Sequence, residues 1–135
     1  MLLVVEDDAY IQYLLESKLA DAGYNVVTAC DGRKAIAELN ADAGRFRGVI
    51  TDIRLGTGPN GWEVSRHARV LVPDMPIVYM TADSSFEWSS RGVPGSVLFT
   101  KPFALDQFTT AVSALLTEAD GCRTVTGSAS LALKD

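Results

Sequence analysis

Residues 2–8 read L-L-V-V-E-D-D: an unbroken apolar run, then three carboxylates. An apolar run that ends β-branched suits a strand covered on both faces, because neither face meets water. Such a strand belongs to a parallel sheet flanked by helices, and the residues that follow supply both. Residues 9–22 put Ile11, Leu14, Leu15, Leu19 and Ala22 on one helical face, and Gly23 offers a helix stop. Val26–Ala29 makes a second strand, and Ala35, Ile36 and Leu39 mark a second helix. A third strand, 49–51, ends at Asp52. A glycine-rich loop then leads to a helix with Val64, Ala68 and Leu71 on one face. Residues 77–80 form a fourth strand and Val97–Thr100 a fifth. Leu105, Phe108, Val112, Leu115 and Leu116 line the last helix. Strand and helix alternating in this way predict an α/β fold, a parallel sheet with helices on both faces. Between Thr81 and Gly95 the pattern weakens. Residues 83–90 have room for about two helical turns before Gly92, Pro94 and Gly95 cut them short.

A length of 135 residues suits one domain with one core. Hydrophobic residues at 47% and charged residues at 21% fit a soluble globular protein. No apolar run reaches the roughly 18 residues of a membrane helix. Met1 runs into apolar and then acidic residues, with no signal-peptide pattern, so a cytoplasmic location without a membrane partner is expected. A net charge of −5, with lysine and arginine scattered and no cluster beyond Arg33-Lys34, argues against a nucleic-acid surface. Cys30 and Cys122 lack a Cys-x-x-Cys spacing or a histidine partner, so they predict idle thiols and no metal site. From Glu118 onward the residues are small, polar and aperiodic. Residues 118–135 are expected to be a tail or the start of a linker, after a domain at 1–117.

Parallel sheets bind ligands beyond the carboxyl ends of their strands. Here those ends deliver Glu6, Asp7 and Asp8; Asp52; Thr81, followed by the small Ala82; and Lys101. In S-V-L-F-T-K-P-F, residues 96–103, the lysine stands where the strand ends and Pro102 stops further pairing. Each residue has an ordinary explanation. Carboxylates suit a helix N-terminus, Asp8 above all as a cap; Asp52 could close a turn, and Lys101 could be solvated. Four strand ends with complementary chemistry argue for a shared site. Clustered carboxylates repel unless a cation joins them, and all-oxygen ligands suit Mg²⁺. Lys101 and Thr81 would then face an anion such as a phosphoryl group. A carboxylate such as Asp52 can act as nucleophile and form an acyl phosphate.

The stretches V-V-E-D-D, T-D-I-R-L, Y-M-T-A and T-K-P-F, in this order and spacing, resemble the receiver domains of two-component response regulators. The resemblance spans residues 2 to about 117. It implies a flavodoxin-like sheet of order 2-1-3-4-5. It also implies that Asp52 is the phosphoacceptor, and that Glu6 and Asp7, with Asp52 and the backbone carbonyl of Arg54, hold Mg²⁺. Thr81 becomes the switch hydroxyl, Ala82 offers a backbone N–H to the phosphoryl group, and Lys101 pairs with that group. By the same resemblance, Pro102 is expected to follow a cis peptide bond. The implied partners are a sensor histidine kinase or a histidine phosphotransfer protein and a downstream protein, for a monomer or weak dimer. Such a domain is no enzyme beyond promoting its own phosphorylation and dephosphorylation.

Three departures stand out. The loop L-G-T-G-P-N-G, 55–61, carries extra glycine and one more residue, so it should be mobile or approach something closely. The segment between Thr81 and Lys101 is about two residues short, so helix 4 is expected to be short or irregular. Leu98 stands where the family usually has an aromatic, and Phe99 should point to the opposite face. Output would then use another surface, or ordering of residues 83–95. Arg54 and Asp83 could pair across the site. His67 and Trp62 are expected to be ordinary surface or packing residues, and Trp88 a packing residue or an exposed anchor. Two alternatives stay open: a receiver-like interaction module with little phosphorylation, and an aspartyl-phosphate phosphohydrolase. The latter needs an aspartate two residues past Asp52, where Arg54 stands. A flavodoxin-like binding domain is disfavoured, because E-D-D would repel phosphate after the first strand.

Overall fold

The computed structural model describes residues 1–82, 88–101 and 104–121. Its elements, in chain order, are β1 (Leu2–Val5), α1 (Ala9–Asp21), β2 (Val26–Ala29), α2 (Gly32–Asp42), a 3-10 turn (Ala43–Arg45) and β3 (Gly48–Asp52). There follow α3 (Gly61–Leu71), β4 (Ile77–Thr81), α4 (Trp88–Arg91), β5 (Val97–Thr100) and α5 (Leu105–Gly121). The strands form one sheet of order β2-β1-β3-β4-β5, and every pairing is parallel. The parallel sheet is the one expected from the alternation, and its order is the one the resemblance implies.

The unbroken apolar runs have the burial they imply. All residues of β1, β3 and β4 are buried, whereas edge strand β2 is half-buried over its first three positions. Alternate residues then sort into two cores. One face carries Leu3, Val5, Val49, Tyr79 and Leu98 against Ala35 and Leu39 of α2 and Val64 and Ala68 of α3. The other carries Val4, Ile50, Met80 and Phe99 against Leu15 and Leu19 of α1 and Phe108 and Val112 of α5. Leu98 and Phe99 thus point to opposite faces, as expected.

Two positions differ from the periodic pattern. Ala22 is exposed, because α1 has already ended. Leu71 is 42% exposed, because the chain turns in through Val72 and the buried Met75 instead. Gly23 follows α1 with φ +96°, the left-handed conformation of a helix stop. Among the described residues α4 has four, Trp88–Arg91, and it ends before Gly92 as expected. Helix α5 continues through Gly121, past the Glu118 where the polar composition begins. Among the described residues, no helix is long and apolar enough to cross a membrane. Asp83, Pro102 and Cys122 lie outside the described residues, and with them the expected Arg54–Asp83 pair and cis bond.

Candidate functional site

The site is made by where strands stop. β1 ends at Val5, and the Glu6 N–H still bonds the Ala29 carbonyl at 3.1 Å, so the chain leaves the sheet aligned with β2. Glu6 is buried and Asp7 exposed. Asp8 turns away to cap α1, its Oδ1 accepting from the N–H groups of Tyr10 at 2.9 Å and Ile11 at 3.2 Å. Asp52 closes β3, with its side chain 12% exposed. Thr81 closes β4 and is buried; Ala82 follows it, exposed. Lys101 leaves β5 while its N–H donates to the Thr81 carbonyl at 2.7 Å, which fixes where its side chain starts.

From there the Lys101 ammonium reaches back across the sheet. Its Nζ lies 2.9 Å from Glu6 Oε1 and 3.0 Å from Asp52 Oδ2. Carboxylate oxygens of Glu6, Asp7 and Asp52 all come within 4.8 Å of one another. Residues 95 and 49 apart in sequence thereby share one ammonium. Arg54 follows Asp52 on the loop and is exposed.

The electrostatics follow from this crowding. Burial pushes the Glu6 carboxyl up to about 7, against the hydrogen bonds from Lys101 and the Asp8 N–H, while the Asp52 charge adds to the rise. Burial works to lower the Lys101 pKa, but the hydrogen bonds and charges of Glu6 and Asp52 outweigh it and hold the ammonium above its usual value. The shared proton therefore belongs to Lys101, and Glu6 is the acid that gains one as pH falls. Three carboxylates facing one ammonium leave excess negative charge among oxygen donors, and that donor set fits a hard dication such as Mg²⁺.

The glycine-rich loop does approach its neighbours closely. A Cβ on Gly32 would stand 2.1 Å from the Pro59 carbonyl oxygen, and one on Gly61 would stand 2.3 Å from the Asp52 carbonyl oxygen. Gly56 and Gly58, at φ +77° and +89°, make the turn between. Asn60 and Glu63 then cap α3 reciprocally.

Other singled-out residues have structural places. Trp62 is buried in the α3 core. Trp88 is half-buried, and its indole N–H donates to Ser96 Oγ at 2.9 Å, so it packs instead of standing out as an anchor. His67 Nε2 is 2.7 Å from Asn40 Oδ1, tying α3 to α2. Cys30 is an exposed thiol beside Lys34. Two supports of the site carried no sequence signal. Gln12 Nε2 donates to the Glu6 carbonyl at 3.2 Å, and Gly61 presses on the Asp52 backbone.

A doubly wound parallel sheet whose strand ends gather three carboxylates, a hydroxyl and an ammonium defines an α/β domain built around one acidic, cation-seeking edge. Residues 2–113 match the response regulator receiver domain, and the chain belongs to that family. It is 38% identical over 117 residues to YrkP, an uncharacterized transcriptional regulatory protein of Bacillus subtilis, covering 85% of this chain and 48% of the relative. It is 34% identical over 116 residues to the transcriptional regulatory protein TcrA of Mycobacterium tuberculosis, covering 84% and 45%. The chain thus spans about half the length of these curated relatives. Among solved structures, a response regulator receiver protein of Sinorhizobium medicae superposes with a TM-score of 0.84 at 43% identity, covering 87% of this chain and 94% of that one. Receiver domains of response regulators are signalling switches of two-component systems.

Proposed function

We propose that this domain accepts a phosphoryl group on Asp52 from the phosphohistidine of a sensor kinase or histidine phosphotransfer protein, and that the phosphorylated form controls a downstream protein. The observation that carries this reading is the Lys101 ammonium, held between Glu6 and Asp52 at the sheet edge. Glu6, Asp7 and Asp52, with the backbone carbonyl of Arg54, would hold Mg²⁺; when bound, the ion supplies positive charge to the phosphoryl oxygens. An Asp52 oxygen attacks phosphorus as the P–N bond to histidine breaks, and that electron pair leaves with the imidazole. Lys101 transfers a hydrogen bond to a phosphoryl oxygen. The Thr81 hydroxyl donates to another, and Ala82, with nothing beyond Cβ, leaves its N–H open to a third. These contacts exist only after transfer, so they shift the balance between resting and active forms. Water later cleaves the acyl phosphate and resets the domain. The setting is the cytoplasm, with the domain a monomer or weak dimer.

The test is intact-mass measurement after incubation with Mg²⁺ and a small-molecule phosphodonor. The wild-type domain should gain one phosphoryl group and Asp52→Asn none. Full labelling of Asp52→Asn would reject the acceptor. A wild-type domain that takes no phosphoryl group would favour a bare interaction module. The phosphohydrolase alternative is weak, because the position of its second acid is occupied by the exposed Arg54.

A further inference from the structure

Behind the site, on the sheet face covered by α2 and α3, buried polar groups run in one line from α3 to α4. Tyr79, in β4, is fully buried, with its ring centroid 4.8 Å from that of Trp62. Its hydroxyl lies 2.5 Å from Ser65 Oγ and accepts from the Val93 N–H at 3.0 Å. Ser65 donates its single hydroxyl hydrogen to the Trp62 carbonyl at 2.9 Å, so Tyr79 must be the donor toward Ser65. On the other side of Val93, its carbonyl accepts from Ser96 Oγ at 2.6 Å, and Ser96 accepts in turn from the Trp88 indole at 2.9 Å. Every hydroxyl both gives and receives. The line is two head-to-tail runs that meet at Val93, and the bonds within each run reinforce one another in a low-dielectric interior.

The place of this line in the fold gives it a use. Among the described residues α4 spans Trp88–Arg91 and ends at a Gly92-Val93-Pro94-Gly95 turn, a segment that depends on contacts to its neighbours. The Tyr79 hydroxyl supplies a bond from the sheet interior to that turn. Tyr79 also lies two residues before Thr81 on the same face of β4, and beside Leu98 in register. A pull on Thr81 toward Asp52 therefore acts on β4 within two residues of the bond that holds α4.

We propose that Tyr79 is a positioning residue that latches α4 and the following turn to the sheet in the unphosphorylated domain, and that phosphorylation at Asp52 is coupled to release of this latch. This rests on the receiver reading above. Linkage then sets the direction: weakening the latch must favour the phosphorylated form.

The experiment compares wild type, Tyr79→Phe and Ser65→Ala, with beryllofluoride and Mg²⁺ as the phosphoryl mimic. Hydrogen exchange at the Val93 amide and the binding midpoint are both measured. Tyr79→Phe should raise Val93 exchange in the resting domain. It should also lower the beryllofluoride midpoint by about two- to tenfold, the range of one buried neutral hydrogen bond. Ser65→Ala should move both readouts the same way by less, and it decides the matter by these readouts if Tyr79→Phe does not fold. Loss of stability with an unchanged or raised midpoint would make Tyr79 merely structural and overturn the latch. A wild-type domain that ignores beryllofluoride would instead overturn the receiver reading, and the latch with it.

Discussion

Gly61→Ala adds one methyl group where two opposed effects meet. Gly61 opens α3, and within a helix alanine is favoured over glycine by about 1 kcal/mol. Positive φ occurs at Gly23, Gly56, Gly58 and Gly95 but not at Gly61, so backbone conformation does not require glycine there. Against that gain, the new Cβ would stand 2.3 Å from the Asp52 oxygen, 2.8 Å from Ile53 Cα and 3.0 Å from the Asp52 carbonyl carbon. All three are backbone atoms, so no rotamer relieves the contact. The end of β3 and the start of α3 must part by roughly 1 Å to restore ordinary contact. Overpacking of this kind costs about 1–3 kcal/mol. The 2.8 Å bond from the Gly61 N–H to the Ile53 carbonyl is stretched as well, at about 1 kcal/mol more. The clash wins, and a net loss of about 1–3 kcal/mol is expected. The atoms displaced belong to Asp52 and Ile53, whereas Glu6 and Lys101 are anchored by other strands. Phosphorylation should therefore slow well beyond the loss of folded protein, since a misplacement of about 1 Å can cost about 100-fold. Urea titration gives the stability, and the rate with a small phosphodonor, measured where both proteins are folded, gives the function. Wild-type stability would refute the close approach. Reduced stability with a wild-type rate would refute the claim that α3 holds Asp52 in place. Gly56→Ala is the control: nothing lies within 4 Å of its Cβ, but its φ of +77° should cost about 1 kcal/mol, with the rate retained.

Lys101→Met removes the counter-ion of two carboxylates whose side chains are 1% and 12% exposed. Because burial already holds the folded-state Glu6 pKa near 7, above its ordinary 4.5, Glu6 supports folding most fully when protonated, and this support fades as pH rises through 7. Without divalent cations, the variant should lose about 3–5 kcal/mol at pH 8 and recover much of it by pH 5.5, in urea melts at both values; a pH-independent loss would refute the pairing. Asp8→Ala deletes the α1 cap and should cost about 1 kcal/mol while leaving the phosphorylation rate intact. A large drop in rate would make Asp8 a metal ligand after all.

The fold was legible because its signal is local. Each strand is a short continuous apolar run, and each chemical residue of the site stands directly after one, so alternation alone brings Glu6, Asp52, Thr81 and Lys101 to one edge. Asp8 as cap and the end of α4 before Gly92 rest on equally local rules. The rest depends on contacts distant in sequence. Leu71 sits in helical period with Ala68, yet Met75, four residues on, takes the buried place. Ser65 is a polar residue in an amphipathic helix, and nothing in its period marks it as fully buried beside a tyrosine hydroxyl fourteen residues away. Gly61 reads as one more loop glycine, because its reason is an Asp52 backbone that only the folded chain brings near.

Leu98 stands where an aromatic is expected, and under the proposed latch the coupling would run instead through hydrogen bonds to β4. The segments on either side of β5 each carry a backbone N–H held by β4: Val93, four residues before the strand, on the Tyr79 hydroxyl, and Lys101, directly after it, on the Thr81 carbonyl. The strand that ends in Thr81, the proposed switch residue, thus bears on both connections of its neighbour. One of those connections carries the ammonium of the site and the other carries α4. If Thr81 moves on phosphorylation as proposed, a close-packed interior would pass the shift to Lys101 at one end and to the Val93 contact at the other. In this arrangement Leu98 needs only to fill space beside Tyr79, and the polar contact that binds one segment to the other has its aromatic on β4 instead of β5.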